Sequence, residues 1–117
     1  MTRPLRRPRW LPWLMLLALL FATEARAAEL SPTLAAGKAK ARTCAACHGL
    51  DGLSKVADAP NLAGNGELYL ARQLKAFRGG QRSHPQMSVI AASLSHEDIA
   101  QVTAWYAAIR VQVELPD

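Results

Sequence analysis

Residues 44–48 read Cys44-Ala45-Ala46-Cys47-His48, a spacing that suits one uncommon piece of chemistry. Side chains three apart on a helical turn share a face. Two thiols placed in this way can each add to one vinyl group of a flat macrocycle, and the next residue then directs an imidazole at the metal in its centre. C-x-x-C-H is the attachment pattern for a c-type haem, with the histidine as proximal ligand of the iron. Ala45 and Ala46 are small enough to let a porphyrin approach the backbone. Three other readings exist for such a pair. A thioredoxin-like dithiol belongs beside βαβ elements, and no strand-rich pattern is present. A zinc site needs four ligands, and the chain has neither a second C-x-x-C nor an H-x₃₋₅-H pair. A lone disulfide is the third.

A sixth iron ligand is sought among Met and His side chains. The methionines are Met1, Met15 and Met87. Only Met87 lies outside the N-terminal segment discussed below, and it follows Gly79-Gly80 and Pro85, which read as a loop between helices. Such a loop can carry a thioether to the far side of a haem, and Met/His ligation raises the potential of electron-transferring haems. Methionine is otherwise most often a core gap-filler. His84 and His96 are the rival ligands. The first reads as decoration of the same loop and the second as an exposed residue at a helix start.

The elements that must position these residues are helical. Ser31-Pro32 is an N-cap followed by proline at the first helical position, which predicts a helix over about 32–42 with a small-residue face of Leu34, Ala35, Gly37 and Ala41. Residues 49–66 contain four glycines, Pro60 and two asparagines and read as a loop. A loop this long calls for a function, and wrapping one edge of a haem supplies it. Leu70, Leu74 and Phe77 predict a helix over about 67–78, capped at Asn65 or Gly66 and stopped by Gly79-Gly80. A short helix over 88–92 follows. The last helix begins at Ser95, with Glu97 and Asp98 in its first turn and Ile99, Val102, Tyr106 and Ile109 as its apolar stripe. Trp105 borders that stripe.

Charge and composition set the frame. The 117 residues carry a net +5, which invites a nucleic-acid or membrane-surface reading. The charge is unevenly placed. Residues 1–13 hold four arginines and no acid, residues 14–22 are an apolar run, and Ala25-Arg26-Ala27 completes the pattern of a cleavable secretory signal peptide over 1–27. The apolar run falls well short of the ~20 residues that span a bilayer. Residues 28–117 then form the mature domain, with nine basic residues against eight acidic, a net of +1. That balance removes the argument for nucleic acid. Only Tyr69, Phe77, Trp105 and Tyr106 remain as aromatics. A domain this small has a thin core and usually adds a disulfide framework, a metal or a cofactor. Two cysteines cannot make a framework.

Taken in order, these phrases resemble the class I cytochromes c, and among them the cytochrome c4 halves and the small cytochromes c553. The resemblance rests on Gly37-Lys38-Ala39-Lys40 before the haem motif, Pro60-Asn61-Leu62-Ala63-Gly64, Tyr69-Leu70, Gln73-Leu74, Phe77-Arg78, Gly80, Met87, Leu94-Ser95, Glu97-Asp98-Ile99 and Trp105-Tyr106. It implies an all-α fold of about four helices wrapped around one covalently attached haem c. Cys44 and Cys47 carry the thioethers, and His48 and Met87 ligate the iron. The carbonyl of Pro60 accepts a hydrogen bond from the proximal imidazole, a contact that tunes a metal ligand. Gly37 is the crossing point of the first and last helices, against Trp105 or Tyr106. The chain departs from the family pattern in having one haem motif where the cytochromes c4 have two domains. It also has Ala41 where many members have an aromatic, and it lacks the charge for a lysine ring. The resemblance implies a periplasmic electron carrier, not an enzyme, that meets donor and acceptor redox proteins and reaches a membrane only through partner complexes. A haem subunit of a larger periplasmic oxidoreductase is the alternative. A haem enzyme or gas sensor with an open iron site is a third reading.

Overall fold

A computed structural model describes residues 31–116. The expected signal peptide at 1–27 lies outside them. Among the described residues there are five helices and no strand: α1 (Pro32–Ala41), α2 (Ala45–His48), α3 (Glu67–Arg78), α4 (Pro85–Ala92) and α5 (His96–Ala108). None is long and apolar enough to cross a membrane. The all-α expectation holds, and the helix beyond the four expected is α2, the single turn that carries the C-x-x-C-H motif.

α1 starts where Ser31 Oγ accepts from the amide of Leu34 at 3.3 Å, with Pro32 in the first turn. α5 starts with a reciprocal box. Ser95 Oγ accepts from the Asp98 amide at 3.0 Å, and the Asp98 carboxylate accepts from the Ser95 amide at 2.9 Å. α1, α3 and α5 pack together around Ala41, Leu70, Val102 and Tyr106, with α4 against α3. A 2.6 Å ion pair between Lys40 and Asp98 ties α1 to the start of α5.

Gly37 faces α5 so closely that a β-carbon there would overlap the carbonyl oxygen of Gln101 and come within 3.0 Å of Trp105 Cβ. The helices cross at Gly37 because only hydrogen fits. Ala41, one turn on, is fully buried in the same contact and leaves the room that Tyr106 fills. One expected member of this face is corrected. Ala35 is exposed, because the helical period runs through Leu34, Gly37 and Ala41 and leaves position 35 on the other side.

A second correction concerns residues 79–87. The expected loop ends sooner, and α4 begins at Pro85, so Met87 lies in its first turn. Pro85 occupies the first helical position, where the missing N–H costs nothing. His84 is the N-cap, and its Nδ1 accepts from the Met87 amide at 3.4 Å. His84 therefore anchors the helix that holds Met87, beyond merely decorating a loop. His96 is exposed, as expected, and meets the Arg78 guanidinium at 2.8 Å.

Candidate functional site

Cys44, Cys47, His48, Pro60 and Met87 come from three separate stretches of chain and line one cavity of about 320 Å³. Its size lies in the range of ligand pockets. Leu62, Leu70, Leu74, Phe77, Leu94 and Val102 supply much of its apolar wall. The elements that bring these residues together are traceable one by one.

The motif turn is fixed from behind by α5. Tyr106 Oη donates to the carbonyl of Gly49 at 3.0 Å and lies 3.4 Å from that of Ala41. Trp105 Nε1 donates to the carbonyl of Leu50 at 3.0 Å. Burial pushes the Tyr106 hydroxyl well above the ordinary tyrosine range, so it stays a donor through any physiological pH. The bulky pair on the last helix thus does two jobs. It packs the core and holds the residues just after His48.

The loop over 49–66 closes one wall of the cavity. It is stapled where the amides of Leu62 and Ala63 donate to the Gly52 carbonyl at 2.8 and 3.1 Å. The Lys55 amide donates to the Cys47 carbonyl at 2.8 Å, and the Ser54 amide to Asn61 Oδ1 at 2.7 Å. Gly52 sits at φ +72°, a region that disfavours side chains, and a β-carbon there would also strike Ala63.

The His48 imidazole is 7% exposed, and its Nδ1 lies 2.9 Å from the carbonyl oxygen of Pro60. A carbonyl can only accept, so Nδ1 carries the proton. An imidazole that donates from Nδ1 is oriented with Nε2 toward the cavity side as the nitrogen available to a metal. On the thiol side, burial raises Cys44 above its ordinary value, against smaller opposing effects of Thr43 and Lys40. A redox dithiol is activated by a lowered value, so Cys44 has the wrong tuning for disulfide exchange. No disulfide joins Cys44 and Cys47. Among the described residues no cluster of three or more His, Cys, Asp or Glu side chains could hold a metal ion. The donor set fits a porphyrin instead: two unpaired thiols, one oriented imidazole, one thioether and an apolar enclosure.

Sequence reasoning missed three contributors. Thr103 is 2% exposed, lines the cavity and satisfies its hydroxyl on the Ile99 carbonyl at 2.7 Å. Its polarity hid it from an apolar stripe. His84 was visible as a residue before Pro85, but histidine is not a common N-cap. Arg82 lines the cavity through contacts with α3 that no local pattern announces.

A family model described as cytochrome c matches residues 34–108. The chain is 41% identical over 83 residues to a cytochrome c4 of Pseudomonas aeruginosa, covering 71% of this chain and 41% of that protein. It is 45% identical over 75 residues to cytochrome c-554(548) of Halomonas halodenitrificans, covering 62% of this chain and 90% of that protein. A thiosulfate dehydrogenase electron acceptor of Stutzerimonas stutzeri is 42% identical over 90 residues, covering 74% and 42% respectively. The matched region thus spans about two fifths of the first and third of these relatives and nearly the whole of the second.

Proposed function

This chain belongs to the cytochrome c family, and from that premise we propose that it is a periplasmic carrier moving single electrons between redox proteins. A cytochrome c domain with Cys44-x-x-Cys47-His48 holds one covalent haem c. Bound there, the haem supplies an iron that alternates between Fe(II) and Fe(III). The chain's own residues attach it, ligate it and keep water from it.

In this reading Cys44 and Cys47 carry the thioether bonds, and His48 and Met87 are the axial ligands. Pro60 holds the His48 ring in the tautomer that leaves Nε2 free. The observation that carries the assignment is the 2.9 Å contact between His48 Nδ1 and the Pro60 carbonyl, in a residue lining the same cavity as Met87. His84, capping the α4 turn through the Met87 amide, directs Met87 to that cavity.

Residues 28–117 form the mature domain and 1–27 the cleaved leader. Export fits the chemistry, since c-type haem is attached outside the cytoplasm. Partners would meet the cavity mouth, where Val56, Tyr69 and Ile90 line the cavity and are still exposed, with Val89 beside them. A small patch of this kind suits a transient encounter of roughly under 1,200 Å² in total. The name of the S. stutzeri relative supports an oxidoreductase as one partner class.

Met87→Ala tests the ligand set. The oxidised protein should lose its far-red sulfur–iron absorption band and its potential should fall. An unchanged band would remove Met87 from the iron.

A further inference from the structure

The charges around α3 are segregated. Between Glu67 and Glu97 the sequence has no acidic residue and holds Arg72, Lys75, Arg78 and Arg82. Arg82 lines the cavity already described. The other three line a separate open groove of about 470 Å³, with Gly79 and Gln81 at its end. Groove and cavity share no residue. At about 100° per residue, Arg72 and Lys75 lie about 100° and 160° around α3 from the cavity-lining Gln73.

The fold accounts for only part of this charge. Arg78 is half-buried. Its Nη1 donates to the Leu94 carbonyl at 3.1 Å and its Nη2 meets His96 Nε2 at 2.8 Å, which pins one guanidinium beside the groove. Arg72 and Lys75 are exposed. The ion pairs among the described residues are Lys40–Asp98 and Lys55–Asp51, so neither Arg72 nor Lys75 meets a carboxylate there. Lys75 lies in the last turn of α3, where a cation suits the negative end of the helix. Arg72 lies mid-helix and gains nothing from that end. Arg72–Lys75 and Lys75–Arg78 are like-charge pairs at three-residue spacing, which oppose the helix. Gln81 folds back over Gly79, where a β-carbon would strike its side-chain amide, so a neutral group walls the end of the groove. No residue lining the groove offsets its three cations.

We propose that this groove is a docking surface for an acidic segment of a partner protein, separate from the cavity mouth. Arg72, Lys75 and Arg78 span about 9 Å of helix, which matches several carboxylates on one partner surface better than a single small anion. The groove is concave and no large apolar side chain lines it, which argues against a lipid surface as its occupant. Charge complementarity of this kind speeds the encounter and sets its orientation. A partner held there leaves Val56, Tyr69 and Ile90 at the cavity mouth free for a second protein. That the partner is a redox protein rests on the carrier reading above; the charge of the groove does not.

The probe is an octaglutamate peptide titrated into isotope-labelled, reduced holoprotein, with amide chemical shifts read for wild type, R72Q/K75Q and R42Q/R110Q. At low salt the wild-type shifts should concentrate over residues 72–81 and leave Val56 and Ile90 unmoved. R72Q/K75Q should weaken binding roughly three- to tenfold, as two exposed ion pairs would. R42Q/R110Q removes the same charge from exposed residues elsewhere and should bind as wild type does. Raising the salt to ~300 mM should remove most of the wild-type shift. Shifts spread evenly over Lys38, Arg42, Lys55 and Arg110, or equal weakening by the two double variants, would reduce the effect to net charge and overturn the proposal. Shifts centred on the cavity mouth would overturn it as well. So would sedimentation of the holoprotein with phosphatidylglycerol vesicles in the absence of peptide binding, which would give the groove to lipid. A normal peptide map on a chain without a covalent-haem spectrum would uphold the docking surface and overturn the carrier reading instead.

Discussion

Replacing Gly37 by alanine should loosen the crossing that holds the motif turn in place. The added β-carbon would lie 3.0 Å from both the Gln101 carbonyl carbon and Trp105 Cβ, and would overlap the Gln101 carbonyl oxygen. The obstruction is α5 backbone, so no rotamer change relieves it and the helices must separate. Overpacking costs roughly 1–3 kcal/mol, and a clash with helix backbone that cannot swing aside belongs to the upper part of that range, about 2–3 kcal/mol. Alanine in a helix interior returns about 1 kcal/mol relative to glycine. The net is a loss of about 1–2 kcal/mol. At roughly 4–8 °C per kcal/mol for a domain of this size, the melting temperature should fall by about 4–16 °C.

Gly80 provides an internal contrast. It has open space around a β-carbon but sits at φ +77°. Alanine there costs about 1–2 kcal/mol through the left-handed backbone, and asparagine costs less because it tolerates that region. The order of side chains should therefore invert between the sites. Asparagine should be worse than alanine at 37 and better than alanine at 80. Thermal unfolding of the four holoprotein variants reads this directly. A G37A protein as stable as wild type would refute the close crossing of α1 and α5.

Three further outcomes are expected. Asp98 is held at about 2, first by Lys40 and then by its bonds to Ser95. A lowered folded value means stability that is present above the ordinary carboxylate range and lost as pH falls toward 2. Asp98→Asn should flatten the acid limb of the melting-temperature profile between pH ~4 and 2, and an unaltered limb would discount the Lys40–Asp98 tie. Tyr106→Phe removes the donor to Gly49 and should cost about 1 kcal/mol, or roughly 4–8 °C, and an unchanged melting temperature would show that the hydroxyl holds nothing. In native-state hydrogen exchange, the amides of α4 should open more readily than those of α5, because α4 buries only Ala91 while α5 buries Ile99, Val102, Thr103 and Tyr106. Equal protection of the two helices would contradict that asymmetry.

Much of the scaffold was legible in the chain. α3 begins and ends where Leu70, Leu74, Phe77 and Gly79 place it, because a strong period and a glycine stop are local signals. The Ser95 cap is equally local. α4 was read three residues short because Gly79, Gly80 and Pro85 all punctuate, and only tertiary context shows that Pro85 opens a helix while Gly80 turns the chain. The acceptors of Tyr106 lie 57 and 65 residues away and leave no trace in any window. Arg82 carries no local signal for the same reason, since its partners Gln73 and Phe77 lie on another element.

The two sides of the cavity are built to different standards, and this bears on what the fold controls. Around His48, the carbonyls of Cys47, Gly49, Leu50 and Pro60 all accept from side chains or backbone of other segments. Around Met87 the fixings are fewer: a 3.4 Å cap by His84, a 3.0 Å bond from the His84 amide to Ser88 Oγ, and Arg78 Nη1 donating to the Leu94 carbonyl at 3.1 Å. The imidazole side is over-determined and should change little between oxidation states. The thioether side is held by one short helix whose start depends on a single histidine cap. Substitutions that change the potential without loss of fold should therefore concentrate between Arg82 and Ile90, while substitutions against the His48 turn should reduce stability first.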